Sequence, residues 1–273
     1  MTALVRTMRD AVLSMKGIAR DFFSRGKLVT ALGGVDLEIP DGEFLTIVGP
    51  SGCGKSTLLN LISGLMPPTG GRILYRGREV RGVNREIGYI TQQDNLYPWR
   101  TLRDNVAFPL EIQKVPSGER RRRADAMIAK VGLRGFEDHY PHELSGGMRQ
   151  RANIIRTLIY DPQLILMDEP FGPLDAQTRV ILQDQLLKLW IESRKTVVFI
   201  THDLVEAIAL ADRVAVMTAR PGVIKSVNEV AIPRPRDIFH IHDNEDFRRL
   251  YDKLWEELEI EVRRGSGEWL GER

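Results

Sequence analysis

The stretch Gly49-Pro50-Ser51-Gly52-Cys53-Gly54-Lys55-Ser56-Thr57 constrains this chain more than any other, because it is a complete phosphate-cradling loop set between a strand and a helix. Before it, Phe44-Leu45-Thr46-Ile47-Val48 is apolar and partly β-branched, as a buried strand requires. After it, Thr57 to Leu65 carries leucines and Ile62 at helical spacing. Glycines at 49, 52 and 54 let backbone N–H groups converge on phosphate oxygens without Cβ clashes, and the helix start adds its partial positive charge. In such a loop Lys55 reaches the β- and γ-phosphates and Ser56 places its hydroxyl on Mg²⁺. Nucleotide binding is therefore the first expectation, while the loop alone leaves open which phosphate chemistry follows.

With 273 residues, 42% of them hydrophobic, the chain is long enough for one large globular domain or a domain with an appendage. Lysine and arginine number 39 against 37 acidic residues, a net +2, so bulk charge gives no argument for nucleic acid or an acidic surface as the main partner. The single cysteine, Cys53, lies in the phosphate loop. It excludes an intrachain disulfide, fits a reducing cytosol, and reads as filler because backbone amides do the work of such a loop. No apolar run approaches the roughly 18–20 residues that span a bilayer, so membrane work calls for another chain. Residues 1–15 mix Arg6, Arg9 and Asp10 with isolated apolar residues and read as an N-terminal extension, not a signal peptide.

From Ile18 to Ile39 the pattern suits two strands around a polar turn at Ser24 to Lys27, and Pro40-Asp41-Gly42 turns the chain into the phosphate-loop strand. Strands are also expected at Arg72-Ile73-Leu74-Tyr75 and Ile87-Gly88-Tyr89-Ile90. Residues 101–160 look mainly helical, and the apolar strands Leu164 to Met167 and Thr196 to Ile200 flank a helix from about Gln177 to Ser193. Strands alternating with helices indicate an α/β fold with a parallel sheet covered on both faces. Arg120 to Arg123 opens a helix whose other side carries Ala124, Met127, Ile128 and Val131, so it reads as a solvated face. Beyond Pro233-Arg234-Pro235-Arg236, the residues Phe247, Leu250, Tyr251, Leu254 and Leu258 mark an amphipathic helix, expected to pack on this chain's own body.

A phosphate loop needs a carboxylate on the metal side. Leu164-Ile165-Leu166-Met167-Asp168-Glu169 supplies an apolar strand tipped by two acids, Asp168 for Mg²⁺ and Glu169 to polarise an attacking water. Leu144-Ser145-Gly146-Gly147-Met148-Arg149-Gln150 opens a helix running to about Tyr160. It repeats the anion-binding device of free amides, a small hydroxyl and a helix dipole, but lacks a lysine.

Together these elements resemble the nucleotide-binding subunits of ATP-binding cassette (ABC) transporters over about residues 16–240. The resemblance implies a P-loop NTPase of the ABC ATPase type: a RecA-like mixed or parallel sheet core, an N-terminal antiparallel β part, and a helical signature subdomain at about 93–160. A C-terminal amphipathic helical tail would follow at 241–273. It implies ATP and Mg²⁺, with Gly49, Pro50, Ser51, Gly52, Cys53, Gly54, Lys55, Ser56 and Thr57 around the phosphates and Ser56, Gln92 and Asp168 toward the metal. It also implies a head-to-tail dimer, either a homodimer or a pair of paralogous cassettes, in which Ser145, Gly146 and Gly147 serve the partner's ATP. By the same resemblance Glu169, His202, Gln92 and Lys55 are catalytic, Asp175 stands in the acidic loop after the catalytic Glu, and His202 is the switch histidine. Phe22 is preferred over Phe23 for stacking on adenine. Pro173 departs from the serine or alanine common in the family.

The segment Gln92 to Thr101, notably Pro98-Trp99-Arg100-Thr101, together with Ala219-Arg220-Pro221-Gly222 and Ile232-Pro233-Arg234-Pro235-Arg236, resembles the importer branch serving nitrate, sulfonate and taurine. That branch implies a separate transmembrane permease, contacted near Tyr97, Pro98 and Trp99, and indirectly an external solute-binding protein. It places the chain peripherally at the cytoplasmic face of the inner membrane, with no nucleic-acid partner. The rival readings are an efflux or lipid-handling ABC ATPase, which shares every catalytic residue, and a non-transport ATPase of repair or translation, which usually carries two cassettes or long arms.

Overall fold

The computed structural model describes residues 11–24 and 26–270. In chain order the strands and helices are β1 (Ala11–Ser24), β2 (Lys27–Pro40), β3 (Phe44–Val48), α1 (Lys55–Ile62), β4 (Gly70–Tyr75), β5 (Arg78–Glu79) and β6 (Ile87–Ile90). Then come α2 (Leu102–Ile112), α3 (Ser117–Lys130), α4 (Gly146–Leu158), β7 (Leu164–Asp168) and α5 (Ala176–Ser193). The last are β8 (Thr196–Ile200), α6 (Leu204–Leu210), β9 (Arg213–Met217), β10 (Ile224–Glu229) and α7 (Glu245–Leu270). They divide into two compact units, one formed by the described residues of Met1–Arg85 with Arg194–Arg273, the other by Glu86–Ser193.

The first unit holds two kinds of sheet. Strands β2, β1, β4 and β5 form an antiparallel sheet in that order. In the other, β3 lies between β8 and β9 and is parallel to both, pairing Phe44 with Val197 and Leu45 with Arg213, while β10 adds to β9 antiparallel. All five residues of β3 are buried, which explains its continuous apolar sequence: a central parallel strand has no solvent face to mark with polar residues. The C-terminal helix α7 packs on α6 and β9 of the same unit through the buried Phe247, Leu254 and Leu258, in agreement with the helical spacing of those residues.

Of the expected N-terminal extension, residues 1–10 lie outside the described residues, and 11–15 are strand. Leu13 sits opposite Ile39 and Tyr75, and Met15 opposite Leu37 and Ile73, so both are buried by partners distant in sequence. Strands β9 and β10 form where the sequence reading assigned nothing. The run Val214 to Met217 is a short buried strand whose identity depends on its neighbour β3.

In the second unit β6 and β7 pair in parallel, Ile87 with Leu164 through Ile90 with Met167. Its helices enclose a core of Leu102, Val106 and Leu110 from α2, Ala124 and Ile128 from α3, and Ala152 and Ile155 from α4. Arg121 and Arg122 are exposed on the other side of α3, as the charge run suggested, whereas Arg120 and Arg123 are half-buried and Arg123 donates to Ile159 O at 2.7 Å.

Candidate nucleotide site

Strand β3 delivers Gly49 into a space that admits no side chain: a Cβ there would meet Met217 O at 2.9 Å and Cys53 Sγ at 3.1 Å. Gly54 caps α1 with φ of 110°, and a Cβ on it would lie 2.8 Å from Leu32 Cδ2. Gly54 has no side chain with which to cap the first turn of α1, the arrangement that leaves a helix start to an anion. Lys55 is buried, and its Nζ donates to the carbonyls of Gly49 at 2.8 Å and Pro50 at 2.9 Å. Ser51, Gly52 and Ser56 are exposed at the loop surface, and Pro50 and Thr57 are half-buried. Burial pushes the Cys53 thiol up, with Lys55 acting the other way. A buried thiol held in its neutral form suits the filler role expected of it.

His202 follows β8 in the same unit. On one flank Thr201 is buried and its Oγ1 accepts the Asp203 N–H at 3.0 Å; on the other, Asp203 Oδ1 accepts the N–H groups of Val205 and Glu206, capping α6. The exposed His202 thus stands on a turn locked from both sides. Phe22 and Phe23 point to opposite faces of β1, as successive strand residues must. Phe22 is half-buried under the Arg20 guanidinium, 4.8 Å from its ring centroid, and Phe23 is 78% exposed.

The acids belong to the second unit. Leu164 to Met167 are buried and Asp168 emerges at the end of β7. Burial, and then the Asp168 charge, pushes the pKa of the Tyr89 phenol up, so it stays neutral. Glu169 turns the chain in the left-handed region, φ 45°, at a cost of about 1–2 kcal/mol for a residue with a Cβ. A Cβ on Gly172 would lie 3.6 Å from Gln92 Nε2, 3.4 Å from Glu169 O and 3.9 Å from Glu169 Cβ, so Gln92 and Glu169 converge at this glycine.

Ser145 caps α4, its Oγ accepting the Met148 N–H at 3.3 Å. Gly146 is exposed, whereas a Cβ on Gly147 would strike Thr178 Cγ2 at 2.7 Å. Thr178 in turn gives its N–H to Asp175 Oδ1 at 3.0 Å, the bond that caps α5 and holds the Asp175 carboxyl below its ordinary range. Asp175 and the signature glycines are therefore joined through one threonine.

Some residues around the site escaped the sequence reading. Arg149 donates to Leu144 O and to Asp94, Arg156 to the carbonyls of Asp94 and Asn95, and Asn153 to Thr91 O. Asn105, wholly buried, accepts the Tyr97 N–H and donates to the carbonyls of Tyr97, Arg100 and Thr101. On that frame Trp99 is 71% exposed, its ring 5.5 Å from Tyr97, which meets Phe108 edge-on at 4.8 Å. The available signal was an asparagine on the apolar stripe of α2, a position where a polar side chain needs partners.

Among the described residues no helix is long and apolar enough to cross a membrane. The ABC transporter family model matches residues 32–172. An uncharacterised ABC transporter ATP-binding protein of Methanocaldococcus jannaschii is 49% identical over 246 residues, 90% of this chain and 92% of that protein. The aliphatic sulfonates import ATP-binding protein SsuB of Bacillus licheniformis is 42% identical over 250 residues, 90% of this chain and 95% of that protein. Among solved structures, the ATP-binding cassette MJ0796, a dimer in a post-hydrolysis state with ADP and Pi, shares 33% identity at a TM-score of 0.72. It covers 81% of this chain and is itself covered completely. The glycine-built phosphate loop, the acid-tipped strand and the serine-capped signature helix agree with these likenesses, and the chain belongs to the ABC transporter family as an ATP-hydrolysing, ATP-binding subunit.

Proposed function

We propose that this subunit energises uptake of a small anionic solute of the sulfonate, nitrate or taurine class. The observation that carries the reading is the likeness to SsuB over nearly the whole of both chains. The exposed Trp99 packs on Tyr97, which Phe108 and Asn105 hold in turn, and this supports a permease-docking surface there, since an aromatic anchor on an ordered frame loses less entropy on binding. The subunit then works peripherally, at the cytoplasmic face of the membrane, with an external binding protein acting through the permease.

In this reading two copies close on ATP, consistent with the dimeric state of the related cassette. Lys55 and the loop amides hold the phosphates, Phe22 stacks on adenine, and Ser145, Gly146 and Gly147 serve the partner's nucleotide, with Asp175 linked to Gly147 through Thr178. Glu169 orients and polarises the attacking water, and Gln92 and His202 attend the γ-phosphate. The hydroxyl of Ser56, the amide oxygen of Gln92 and the carboxylate of Asp168 are hard oxygen donors. Asp168 emerges half-exposed from a buried strand, which fits a magnesium ion that keeps waters and phosphate oxygens as its other ligands. When bound, Mg²⁺ offsets phosphate charge.

The test is copurification of the membrane partner and reconstitution with it and its solute-binding protein, followed by a screen of solutes for stimulated ATP hydrolysis. Stimulation by sulfonates, nitrate or taurine is expected. Stimulation by none of them, with a response to a lipid or an exported compound, would overturn the reading.

A further inference from the structure

The motif Ala219-Arg220-Pro221-Gly222 lies between β9 and β10, and every hydrogen bond around it makes it stiff. Thr218 gives its N–H to Val223 O at 3.0 Å, its Oγ1 accepts the Val223 N–H at 3.0 Å and donates to Pro221 O at 3.1 Å. Gly222 donates to Ala31 O at 2.9 Å and accepts the Gly33 N–H at 3.0 Å, stitching the loop to β2. From the other side α7 contributes Glu261, 1% exposed, whose Oε2 accepts the Ala219 N–H at 3.1 Å and whose Oε1 accepts from Lys225 at 2.8 Å and Arg264 at 3.3 Å. Burial would raise the Glu261 carboxyl, but these partners win and hold it below its ordinary range, so it stays charged.

This stiff loop leans on the phosphate loop at two consecutive carbonyls. A Cβ on Gly222 would lie 2.2 Å from Cys53 O, and the Arg220 guanidinium donates from Nη2 to Gly52 O at 2.9 Å. In a planar trans peptide the N–H points opposite to its C=O. Fixing the Gly52 and Cys53 carbonyls against the Arg220 loop therefore turns the N–H groups of Cys53 and Gly54 away from it, and Cys53 N–H meets Pro50 O across the loop at 3.3 Å. The guanidinium also sets a positive charge beside a loop that must hold a polyanion.

We propose that Arg220 is a positioning residue of the phosphate loop, held in place by Glu261 of the C-terminal helix, so that the tail sets the affinity of the loop for nucleotide. This rests on the ATP-binding reading of that loop. Arg220 acts on the backbone that receives the phosphates and does not itself take part in the chemistry.

The experiment measures binding of a fluorescent ATP analogue with Mg²⁺, the KM and kcat of ATP hydrolysis, and thermal melting. The proteins are the full-length wild type, Arg220→Ala, Arg220→Lys and Glu261→Gln. Arg220→Ala should weaken binding and raise KM about tenfold, the scale of one charge-assisted hydrogen bond, with kcat within about twofold and an unchanged melting temperature. Arg220→Lys should recover part of the affinity, and Glu261→Gln should weaken binding about two- to threefold, less than removing the guanidinium outright. Wild-type protein that fails to bind the analogue would overturn the nucleotide reading itself. Wild-type binding with equal affinity in Arg220→Ala would overturn only the positioning role. A lower melting temperature with KM unchanged would also overturn it, by reducing Arg220 to a structural prop.

Discussion

Arg149 donates from Nε to Oδ2 of Asp94 at 3.1 Å and so ties the first turn of the signature helix to the segment just after Gln92. Two turns further along α4, Arg156 holds the carbonyls of Asp94 and Asn95, both at 2.8 Å. Asn95 adopts φ of 48°, and its carbonyl is satisfied by the same guanidinium. The signature helix and the glutamine segment thus form one mechanical piece within their unit.

The two arginines should differ in weight. The Arg149–Asp94 pair is about one-third exposed on each side, so a double-mutant cycle with Arg149→Met and Asp94→Asn should give a coupling of only about 0.5 kcal/mol in urea unfolding. Arg156 is desolvated, and burial pushes the pKa of its guanidinium down. Arg156→Met should cost about 1–3 kcal/mol and speed amide exchange at residues 94–97. Equal costs for the two would contradict the assignment.

Glu169→Gln should reduce phosphate release from ATP by about 10²–10⁴-fold while leaving nucleotide affinity close to wild type. The amide keeps the shape of the side chain and its left-handed backbone. A variant that turns over ATP at the normal rate would remove Glu169 from its role.

Gly147→Ala should destabilise the signature segment by about 1–3 kcal/mol, because its methyl group meets Thr178 Cγ2 at 2.7 Å. Adding Thr178→Ser deletes that carbon and leaves the Thr178 backbone N–H that caps against Asp175. The double variant should recover most of the loss in thermal melting; if it does not, the clash is not the reason glycine stands there.

Trp99→Ala should leave ATP binding and the basal hydrolysis of the isolated subunit unchanged, since the ring is 71% exposed. In the reconstituted transporter it should lower solute-stimulated hydrolysis at least tenfold, as expected for the loss of an aromatic anchor. Parallel loss of basal and stimulated hydrolysis would count against a docking role.

How much of this was legible beforehand depended on whether a feature is local. The phosphate loop could be read because strand, glycines, lysine and helix are contiguous, and the structure keeps α1 starting at Lys55. The tail helix could be read because Phe247, Leu254 and Leu258 repeat at helical spacing. The start of β1 could not, since Leu13 is buried by Ile39 and Tyr75. Nor could the link from Glu261 to Ala219, or from Arg220 to Gly52: each joins residues 42 or 168 positions apart, and no periodicity encodes such a pair. Gly147 lay between these cases. Its place in a glycine-rich helix start was visible, whereas the threonine that would clash with a larger residue lies on the next helix along the chain, beyond an intervening strand.

Lys55 has a consequence of its own. Its ammonium is satisfied by two carbonyls of its own loop, those of Gly49 and Pro50. Any anion that claims Lys55 must replace two charge-assisted hydrogen bonds, which a small singly charged ion cannot do as well as a chain of phosphates can. A ligand that engages the lysine and the loop amides together therefore has the advantage over a small singly charged ion.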